Sequence, residues 1–231
     1  MDFNELEKTL EITISKENKD LFVRAFTHRS YLNEIKESKI RSNERLEFLG
    51  DAVLQFLSSE YLFKKYNERE EGDLTAFRAS IVNTNSLAQE SSRLNYGKFL
   101  LLSKGEEQTG GRERPYILAN TFESVIGAIY LSTDIGTVRN FLNKNLFYKI
   151  DTIVQKGEYR DKKSLFQEKA QELKGVTPVY KVVKEWGPDH DKKFEVGVYL
   201  DKDCIATGKG RSKQKAESDA AKKALNIIEV K

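Results

Sequence analysis

The sequence predicts an all-α domain followed by a small α+β domain with the element order α-β-β-β-α. In roughly the first 150 residues, apolar residues recur at intervals of three and four, as on one face of a helix. Further along the chain they alternate with polar residues, as in a half-buried strand. The formal charge also changes sign, from −2 over positions 1–159 to +5 over positions 160–231. We therefore expect a helical domain at 1–154, a linker at 155–160 and a second domain at 161–231.

Composition limits the class of protein. Of the 231 residues, 39% are hydrophobic, which is enough apolar material for two cores. The single cysteine, Cys204, excludes an intrachain disulfide and a cysteine-based metal cluster, and this fits a reducing compartment. No apolar run approaches the ~18 residues of a membrane span, and the acidic start MDFNELEKTL lacks the features of a secretory signal. We therefore expect a cytoplasmic protein with no membrane partner.

Helical periodicity marks five segments of the first domain, where proline is almost absent. In chain order they are LFVRAFTHRSYL, NERLEFLGDAVLQFLSSEYLFKKY, DLTAFRASIVNTNSLAQESSRL, ILANTFESVIGAIYLS and TVRNFLNKNLFYKI. The segment SKGEEQTGGRERP, at 103–115, separates two of them with three glycines and Pro115, so we predict a loop there. Because this loop lacks the GK[ST] sequence, it is not expected to cradle a phosphate.

The pattern changes at the polar stretch QKGEYRDKK, positions 155–163, which contains the expected linker. A helix is predicted near SLFQEKAQELK. Strands are predicted at VYKVVKEW, KFEVGVYL and CIATGKG, where apolar residues alternate. A last helix is predicted in SKQKAESDAAKKALNII, which completes the α-β-β-β-α order.

Three carboxylates stand out in the second helical segment. Glu44, Glu47 and Asp51 are three and four residues apart, a spacing that places them on one face of a helix. The opposite face carries apolar residues expected in the core: Leu46, Leu49, Val53 and Phe56. An acidic face of this kind is most often solvated surface, so its position alone does not establish a site.

A second oxygen-bearing pair lies in ANTFESVIGAIYL, where Asn120 and Glu123 are three residues apart. If this helix packs against the first, this pair and the pair Glu47 and Asp51 converge into a pocket of the kind that Mg²⁺ prefers. Like charges three and four residues apart destabilise a helix unless a cation neutralises them. The chain also has only two histidines, His28 and His190, so few residues are available for acid-base catalysis by histidine. A bound metal ion that activates water does not require a catalytic histidine.

The segment NERLEFLGDAVL closely resembles the signature of bacterial ribonuclease III. EEGDLTAFRASIVN, GGRERPYILANTFESVIGAIYL and the tail resemble later blocks of that family in the same order. The resemblance implies an endonuclease domain followed by a double-stranded-RNA-binding domain, acting as a homodimer with Mg²⁺, for which Mn²⁺ can substitute. It implies cleavage of double-stranded RNA to 5′-phosphate and 3′-hydroxyl ends with a short 3′ overhang. Processing of messenger RNA and of structured RNA such as ribosomal RNA precursors is expected.

The resemblance also assigns roles within the first domain. Three residues match metal ligands of the family: Glu47, Asp51 and Glu123. Asn120 occupies the position of a fourth ligand. Glu47, Asp51 and Glu123 are therefore expected at the catalytic centre, and Glu44 and Glu71 match acids of the cleavage site and subunit interface. Phe48 matches an aromatic residue that seats in the partner subunit, although it could instead be an ordinary core phenylalanine. His28, in THRS, is expected to be structural.

Asn120 departs from the family pattern, because many members place Asp there. An amide oxygen can still coordinate a cation but brings no charge, so metal affinity should fall. Asn120 could be a natural active variation, an engineered inactivating change, or the mark of a naturally weak catalyst. A dimeric RNA-binding protein with a scaffold nuclease domain is therefore an alternative to the endonuclease. A metal-dependent helical phosphohydrolase with an RNA-binding tail is a third, weaker one.

The tail segment GKGRSKQKAESDAAKKAL resembles the end of a double-stranded-RNA-binding domain. Ser212 is expected to cap its helix, whose start directs basic residues and the helix dipole at phosphates. The residues that match RNA contacts of the family are Gln167, Glu168, His190, Arg211, Ser212, Lys213 and Lys215. Gln214 stands where the family commonly has a second consecutive lysine. A small apolar face should pack on the sheet: Ala216, Ala220, Ala221 and Leu225.

Overall fold

A computed structural model describes residues 1–35, 40–157, 159, 161–188 and 191–229, the last residue as backbone only. The chain forms two compact units, residues 1–159 and residues 160–231. The division falls inside the stretch expected to be a linker. None of the described helices combines the length and the apolar character needed to cross a membrane.

The all-α prediction for the first unit is confirmed. In its described part the helices are α1 (Phe3–Leu10), α2 (Lys19–Ala25), α3 (Glu44–Lys65), α4 (Glu71–Ile81), α5 (Thr84–Arg93), α6 (Lys104–Gln108), α7 (Pro115–Ser132), α8 (Ile135–Asn145) and α9 (Ile150–Gln155). Short 3₁₀ turns occur at Lys16–Asn18, Arg29–Glu34, Tyr96–Lys98, Gly111–Glu113 and Phe147–Lys149.

The prediction of a plain loop at 103–115 was wrong, because the segment contains α6 and a 3₁₀ turn. Ser103 explains the helix, since its hydroxyl accepts a hydrogen bond from the backbone N–H of Glu106 at 3.2 Å. The glycine that follows, Gly110, has φ of +81° and ends the helical stretch. The glycine content of the segment led to the prediction of a loop and gave no sign of the helix that Ser103 caps.

Helices α3 and α7 cross at backbone contact, and two glycines make this possible. A Cβ on Gly50 of α3 would lie 1.7 Å from the carbonyl oxygen of Glu123 on α7. A Cβ on Gly127 of α7 would lie 2.4 Å from the carbonyl oxygen of Leu46 on α3. No side chain fits between the helices at this point. The crossing lies within a core that includes fully buried Leu54 of α3 and Phe122 of α7.

The apolar face predicted for α3 is confirmed in part. Leu46 and Val53 are buried and Leu49 is partly buried against the core, but Phe56 is 59% exposed. At 100° per residue Phe56 lies about 80° away from Leu46 around the helix, which places it at the margin of the buried stripe. It shares an exposed side of α3 with Phe48 (80% exposed) and Phe63 (71% exposed).

The predicted α-β-β-β-α order of the second unit is confirmed. Its elements are α10 (Lys162–Lys174), β1 (Val179–Trp186), β2 (Lys193–Leu200), β3 (Asp203–Gly210) and α11 (Lys213–Glu229). The strands form an antiparallel sheet in the order β1-β2-β3. The small face of α11 is buried as expected, at Ala216, Ala220, Ala221 and Leu225. Phe166 of α10 and Val198 of β2 lie in the same core as α11.

Candidate functional site

The crossing of α3 and α7 brings the two predicted oxygen-bearing pairs together. On α3, Glu47 and Asp51 stand on either side of Gly50 in sequence, and Gly50 abuts the backbone of Glu123 on α7. Asn120 lies one turn before Glu123 on α7. The juxtaposition of two separate helices, expected from sequence only if those helices packed together, is therefore present.

The acids are close enough for their charges to interact. Burial, together with repulsion from Asp51 and Glu47, raises the pKa of Glu123 to about 8. Burial and the charge of Glu44 likewise raise the pKa of Glu47. Asp51 is exposed, and its carboxylate accepts a hydrogen bond from the Gln55 side chain at 3.3 Å. These carboxylates form a half-buried acidic cluster, which we define as Glu47, Asp51 and Glu123.

Asn120 contacts this cluster through its amide group. It donates a side-chain hydrogen bond to Glu47, an interaction that favours the charged carboxylate and partly offsets the rise in the pKa of Glu47. The amide oxygen of Asn120 keeps its lone pairs, because only the NH₂ group donates. Asn120 thus favours the charged form of Glu47 without adding a fourth negative charge.

The donor set fits a hard divalent cation by its chemistry. Three carboxylates and one amide oxygen are ligand types that Mg²⁺ and Mn²⁺ accept. Among the residues that the structure describes, no three His, Cys, Asp or Glu side chains are already arranged to coordinate one metal ion. Burial first, and then the charges of Asp51 and Glu47, raise the pKa of Glu123, and a cation is the partner that would offset both effects.

Glu44 lies at the rim of the cluster and is exposed. Its carboxylate accepts a hydrogen bond from the Ser42 hydroxyl at 2.8 Å and lies 3.9 Å from the Arg29 guanidinium. A cavity of about 250 Å³ adjoins this rim. Its lining includes Glu44, Glu47 and Asn120, together with residues from the turn after α2.

His28 caps that turn, as its expected structural role requires. Its Nδ1 accepts a hydrogen bond from the backbone N–H of Ser30 at 3.3 Å and lies 2.9 Å from the Ser30 hydroxyl. Burial is the main cause that lowers the pKa of His28. The ring is therefore neutral at physiological pH.

The candidate interface residues lie on the surface of the first unit. Phe48 is 80% exposed, so the alternative that it is a core residue was wrong. Glu71, at the start of α4, lines a cavity of about 410 Å³ with Phe56 and Phe63. The Thr75 hydroxyl donates a hydrogen bond to the Glu71 carboxylate at 2.9 Å. An exposed aromatic side of α3 therefore adjoins the end of α4 that carries Glu71.

The second unit presents most of the residues matched to RNA contacts. Gln167 and Glu168 are exposed on α10, and the basic residues at the start of α11 are exposed as well: Arg211, Lys213 and Lys215. Ser212 caps α11 as predicted, since its hydroxyl accepts a hydrogen bond from the backbone N–H of Lys215 at 3.2 Å. His190 lies outside the described residues.

Sequence reasoning missed Gly50 and Gly127, which set the distance between the two helices of the site. Glycine in a helix interior costs about 1 kcal/mol relative to alanine, so its presence there calls for a packing reason. Gly50 lies between two of the acids, and this was the available signal.

Comparison with known proteins identifies the family. The family model described as Ribonuclease-III-like matches residues 18–150, and the model of the double-stranded RNA binding motif matches residues 162–228. Ribonuclease 3 of Halalkalibacterium halodurans is 44% identical to this chain over 99% of it and 86% of its own length. Ribonuclease 3 of Oceanobacillus iheyensis is also 44% identical, over 99% of each chain.

A solved structure supports the same family. The nuclease domain of ribonuclease III from Campylobacter jejuni is 40% identical, with a TM-score of 0.56, over 62% of this chain and 94% of the solved one. The resemblance carried by NERLEFLGDAVL is therefore confirmed, and the chain belongs to the ribonuclease III family of endoribonucleases.

Proposed function

We propose that this protein cleaves double-stranded RNA by hydrolysis that depends on a divalent cation. One observation carries the proposal: acids from two separate helices converge at the α3–α7 crossing, in a chain that also carries a double-stranded RNA binding motif. The products are 5′-phosphate and 3′-hydroxyl ends with a short 3′ overhang. Structured transcripts, including ribosomal RNA precursors and messenger RNA, are the proposed substrates, in the cytoplasm.

The acidic cluster and the Asn120 oxygen would hold Mg²⁺, with Mn²⁺ as a substitute. When bound, the cation lowers the pKa of water and offsets negative charge on the phosphate under attack. Burial raises the pKa of Glu123 to about 8, so binding of the cation would favour loss of its proton. Asn120 partly offsets the rise in the pKa of Glu47, and Glu44 provides a further carboxylate at the exposed rim.

The second unit supplies the hold on RNA. Arg211, Lys213 and Lys215 surround the N-terminus of α11, whose dipole and free N–H groups attract phosphate. Gln167 and Glu168 on α10, and His190 in the GPDH segment, are proposed to contact successive minor grooves. Recognition of this kind reads the A-form shape more than the sequence.

The active form is proposed to be a homodimer in which each subunit cuts one strand. Phe48 has 80% of its surface exposed, and Phe56 and Phe63 are exposed on the same side of α3. Clustered exposed aromatic residues mark interaction surfaces. The cavity of about 410 Å³ lined by Phe56, Phe63 and Glu71 is a recess in which a partner's side chain can seat.

The direct test is cleavage of long duplex RNA in Mg²⁺ or Mn²⁺, with the products sized and their ends analysed. We expect short duplexes with 3′ overhangs, and single-stranded RNA of the same sequence is the control substrate. A Glu123→Gln variant should bind duplex RNA as the unchanged chain does and cut it at least about 100-fold more slowly. Intact duplex RNA across a range of metal concentrations would contradict the proposal.

A second candidate function, a duplex-RNA-binding scaffold with weak catalysis, is favoured by Asn120 alone. The deciding comparison is the given chain against its Asn120→Asp version. If the given chain is an active enzyme, both cut RNA and the Asp version reaches half-maximal rate at a lower Mg²⁺ concentration. If the chain is a scaffold, it binds duplex RNA without cutting while the Asp version cuts.

A further inference from the structure

The cavity of about 250 Å³ beside the acidic cluster has a mixed lining. Glu44, Glu47 and Asn120 contribute oxygen ligands, as described above. The lining also includes His28 and Arg29 from the turn after α2 and Tyr116 from the first turn of α7. These three side chains bring hydrogen-bond donors and an aromatic ring, which suit a sugar-phosphate chain rather than a cation.

A chain of hydrogen bonds fixes the tautomer of His28. The Ser103 backbone N–H donates to the Ser30 hydroxyl oxygen at 3.1 Å, so the hydroxyl proton is free to point at Nδ1 of His28, 2.9 Å away. The Ser30 backbone N–H also donates to Nδ1. With Nδ1 acting as an acceptor, the proton of the neutral ring resides on Nε2.

His28, a half-buried residue of the cavity lining, thus carries a fixed donor at its Nε2–H group. Within the described ranges Nε2 has no hydrogen-bond partner, whereas Nδ1 has two. Arg29, whose side chain is 75% exposed, adds positive charge to the same lining and lies 3.9 Å from Glu44. Tyr116 adds a partly exposed ring. The cavity lining therefore offers a hydrogen-bond donor, a positive charge and an aromatic ring to a sugar-phosphate chain that approaches the acids.

We infer that this cavity receives the nucleotide next to the phosphodiester that is cut, and that His28 donates a hydrogen bond from Nε2–H to an oxygen of its sugar-phosphate backbone. The inference rests on the proposed function, because it places the substrate relative to the acidic cluster. It gives His28 a second role beside its cap. Arg29 screens the approaching phosphate from Glu44, and Tyr116 forms a wall for the ribose.

Two substitutions separate the cap from the donor. His28→Asn places a side-chain oxygen at the position of Nδ1, and asparagine is among the best N-cap residues, so the turn should be kept. The same substitution removes the Nε2–H donor. His28→Gln places an amide N–H near the position of Nε2 and restores a donor of similar reach.

The measurement is the cleavage rate against duplex RNA concentration, with a thermal melt for each variant. For His28→Asn we expect an unchanged melting temperature and a KM raised about 10-fold, the effect of losing one hydrogen bond to a charged group. His28→Gln should recover most of that loss. A KM for His28→Asn equal to that of the unchanged chain would overturn the inference, as would the absence of any recovery in His28→Gln.

The unchanged chain distinguishes failure of this inference from failure of the proposed function. If it cuts no duplex RNA with any divalent cation, the proposed function fails. The cavity is then judged by duplex RNA binding in Ca²⁺. An affinity about 10-fold weaker for His28→Asn, restored in His28→Gln, then supports His28 as a hydrogen-bond donor to duplex RNA, without its placement beside a cleaved bond. Equal affinities for all three proteins contradict this role for His28.

Discussion

Asn120 shows how one amide can change the electrostatics of a site without removing a ligand atom. An aspartate at this position would add a fourth negative charge beside Glu47, whose pKa is already raised by burial and by Glu44. The amide instead donates to Glu47 and leaves one oxygen for a cation. If the site holds a cation as proposed, asparagine at position 120 lowers the electrostatic cost of assembling the acids and also lowers the affinity for the metal.

Glu90 forms a second, structural charge cluster in the first unit. Its carboxylate, almost fully buried, accepts hydrogen bonds from Arg93 at 2.7 Å and from Lys149 and Tyr148 at 3.0 Å each. Burial acts to raise its pKa, but the bonds from Arg93 and Lys149 outweigh it and hold the pKa of Glu90 below its ordinary value. The folded state therefore binds the Glu90 proton less tightly than the unfolded state does.

The lowered pKa of Glu90 predicts that this residue contributes to the free energy of unfolding and that the contribution is lost at acidic pH. Because the folded pKa is depressed, the contribution is fully present above the ordinary pKa of a glutamate and is lost as the pH falls through the folded value. Glu90→Gln should lower the free energy of unfolding by about 3 kcal/mol at pH 7, since it leaves Arg93 and Lys149 without their anion.

Urea unfolding of the unchanged chain and of Glu90→Gln, followed by circular dichroism from pH 7 to pH 3.5, checks this prediction. The difference between the two proteins should shrink below the ordinary glutamate pKa. A difference that is constant across that range would show that Glu90 acts through shape rather than through its charge.

At the scale of elements, periodicity predicted the longer helices and the strands, whose apolar residues recur at regular intervals, but it missed α6, which has no buried residue. Spacing also predicted which residues share a face, as with Glu47 and Asp51. It could not predict that α3 and α7 touch, since helix pairing depends on the shape of the whole core. The exposure of Phe56 has the same origin: from α3 alone, a residue that borders the core cannot be told from one that borders the surface.

Gly50→Ala is the sharpest test of the crossing. Its Cβ would lie 1.7 Å from the Glu123 carbonyl oxygen, so α3 and α7 must separate. We expect a loss of about 3 kcal/mol or more in the free energy of unfolding, at the upper end of overpacking costs, and a parallel loss of cleavage. Thermal melting and RNA cleavage are the measurements.

Gly72→Ala is the matched control, because Gly72 lies in the first turn of α4 and a Cβ there meets nothing within 4 Å. It should be neutral or slightly stabilising, since alanine favours a helix by up to about 1 kcal/mol. Equal melting temperatures for the two variants would mean that the α3–α7 contact yields more readily than its geometry indicates.

At the scale of the whole molecule, charge is divided between the two units. The second unit carries net positive charge, and its exposed basic residues gather at the start of α11. The sequence predicted this unit and its capping serine because local rules govern both. The RNA contact expected of His190 in the GPDH segment stays a prediction, because that residue lies outside the described part of the chain.

Salt dependence of duplex RNA binding should count the phosphates that α11 neutralises. Lys213→Ala and Lys215→Ala should each reduce the slope of log affinity against log salt concentration by about one. Lys202→Ala is the control, because Lys202 lies in the turn before β3 and α11 follows the opposite end of that strand. Fluorescence anisotropy with a labelled duplex at several salt concentrations gives the slopes. A reduction for Lys202→Ala as large as for Lys213→Ala would contradict a localised contact.

Dimer formation is predicted to depend on Phe48. Its exposed ring contributes little to the core of one chain, so Phe48→Ala should leave the fold intact while converting dimers to monomers. Analytical ultracentrifugation across a range of protein concentrations measures the change, and circular dichroism checks the fold. An unchanged sedimentation profile would place the subunit contact elsewhere.

The glycine crossing also constrains how this enzyme can diverge. Because Gly50 and Gly127 bring main chain against main chain, the separation of the acids is fixed by peptide geometry and cannot be tuned by enlarging or trimming a side chain between them. Any residue larger than glycine at either position would force the two helices apart. New substrate preferences must therefore arise by replacing groups around the reaction centre, while its internal dimensions stay the same over evolutionary time.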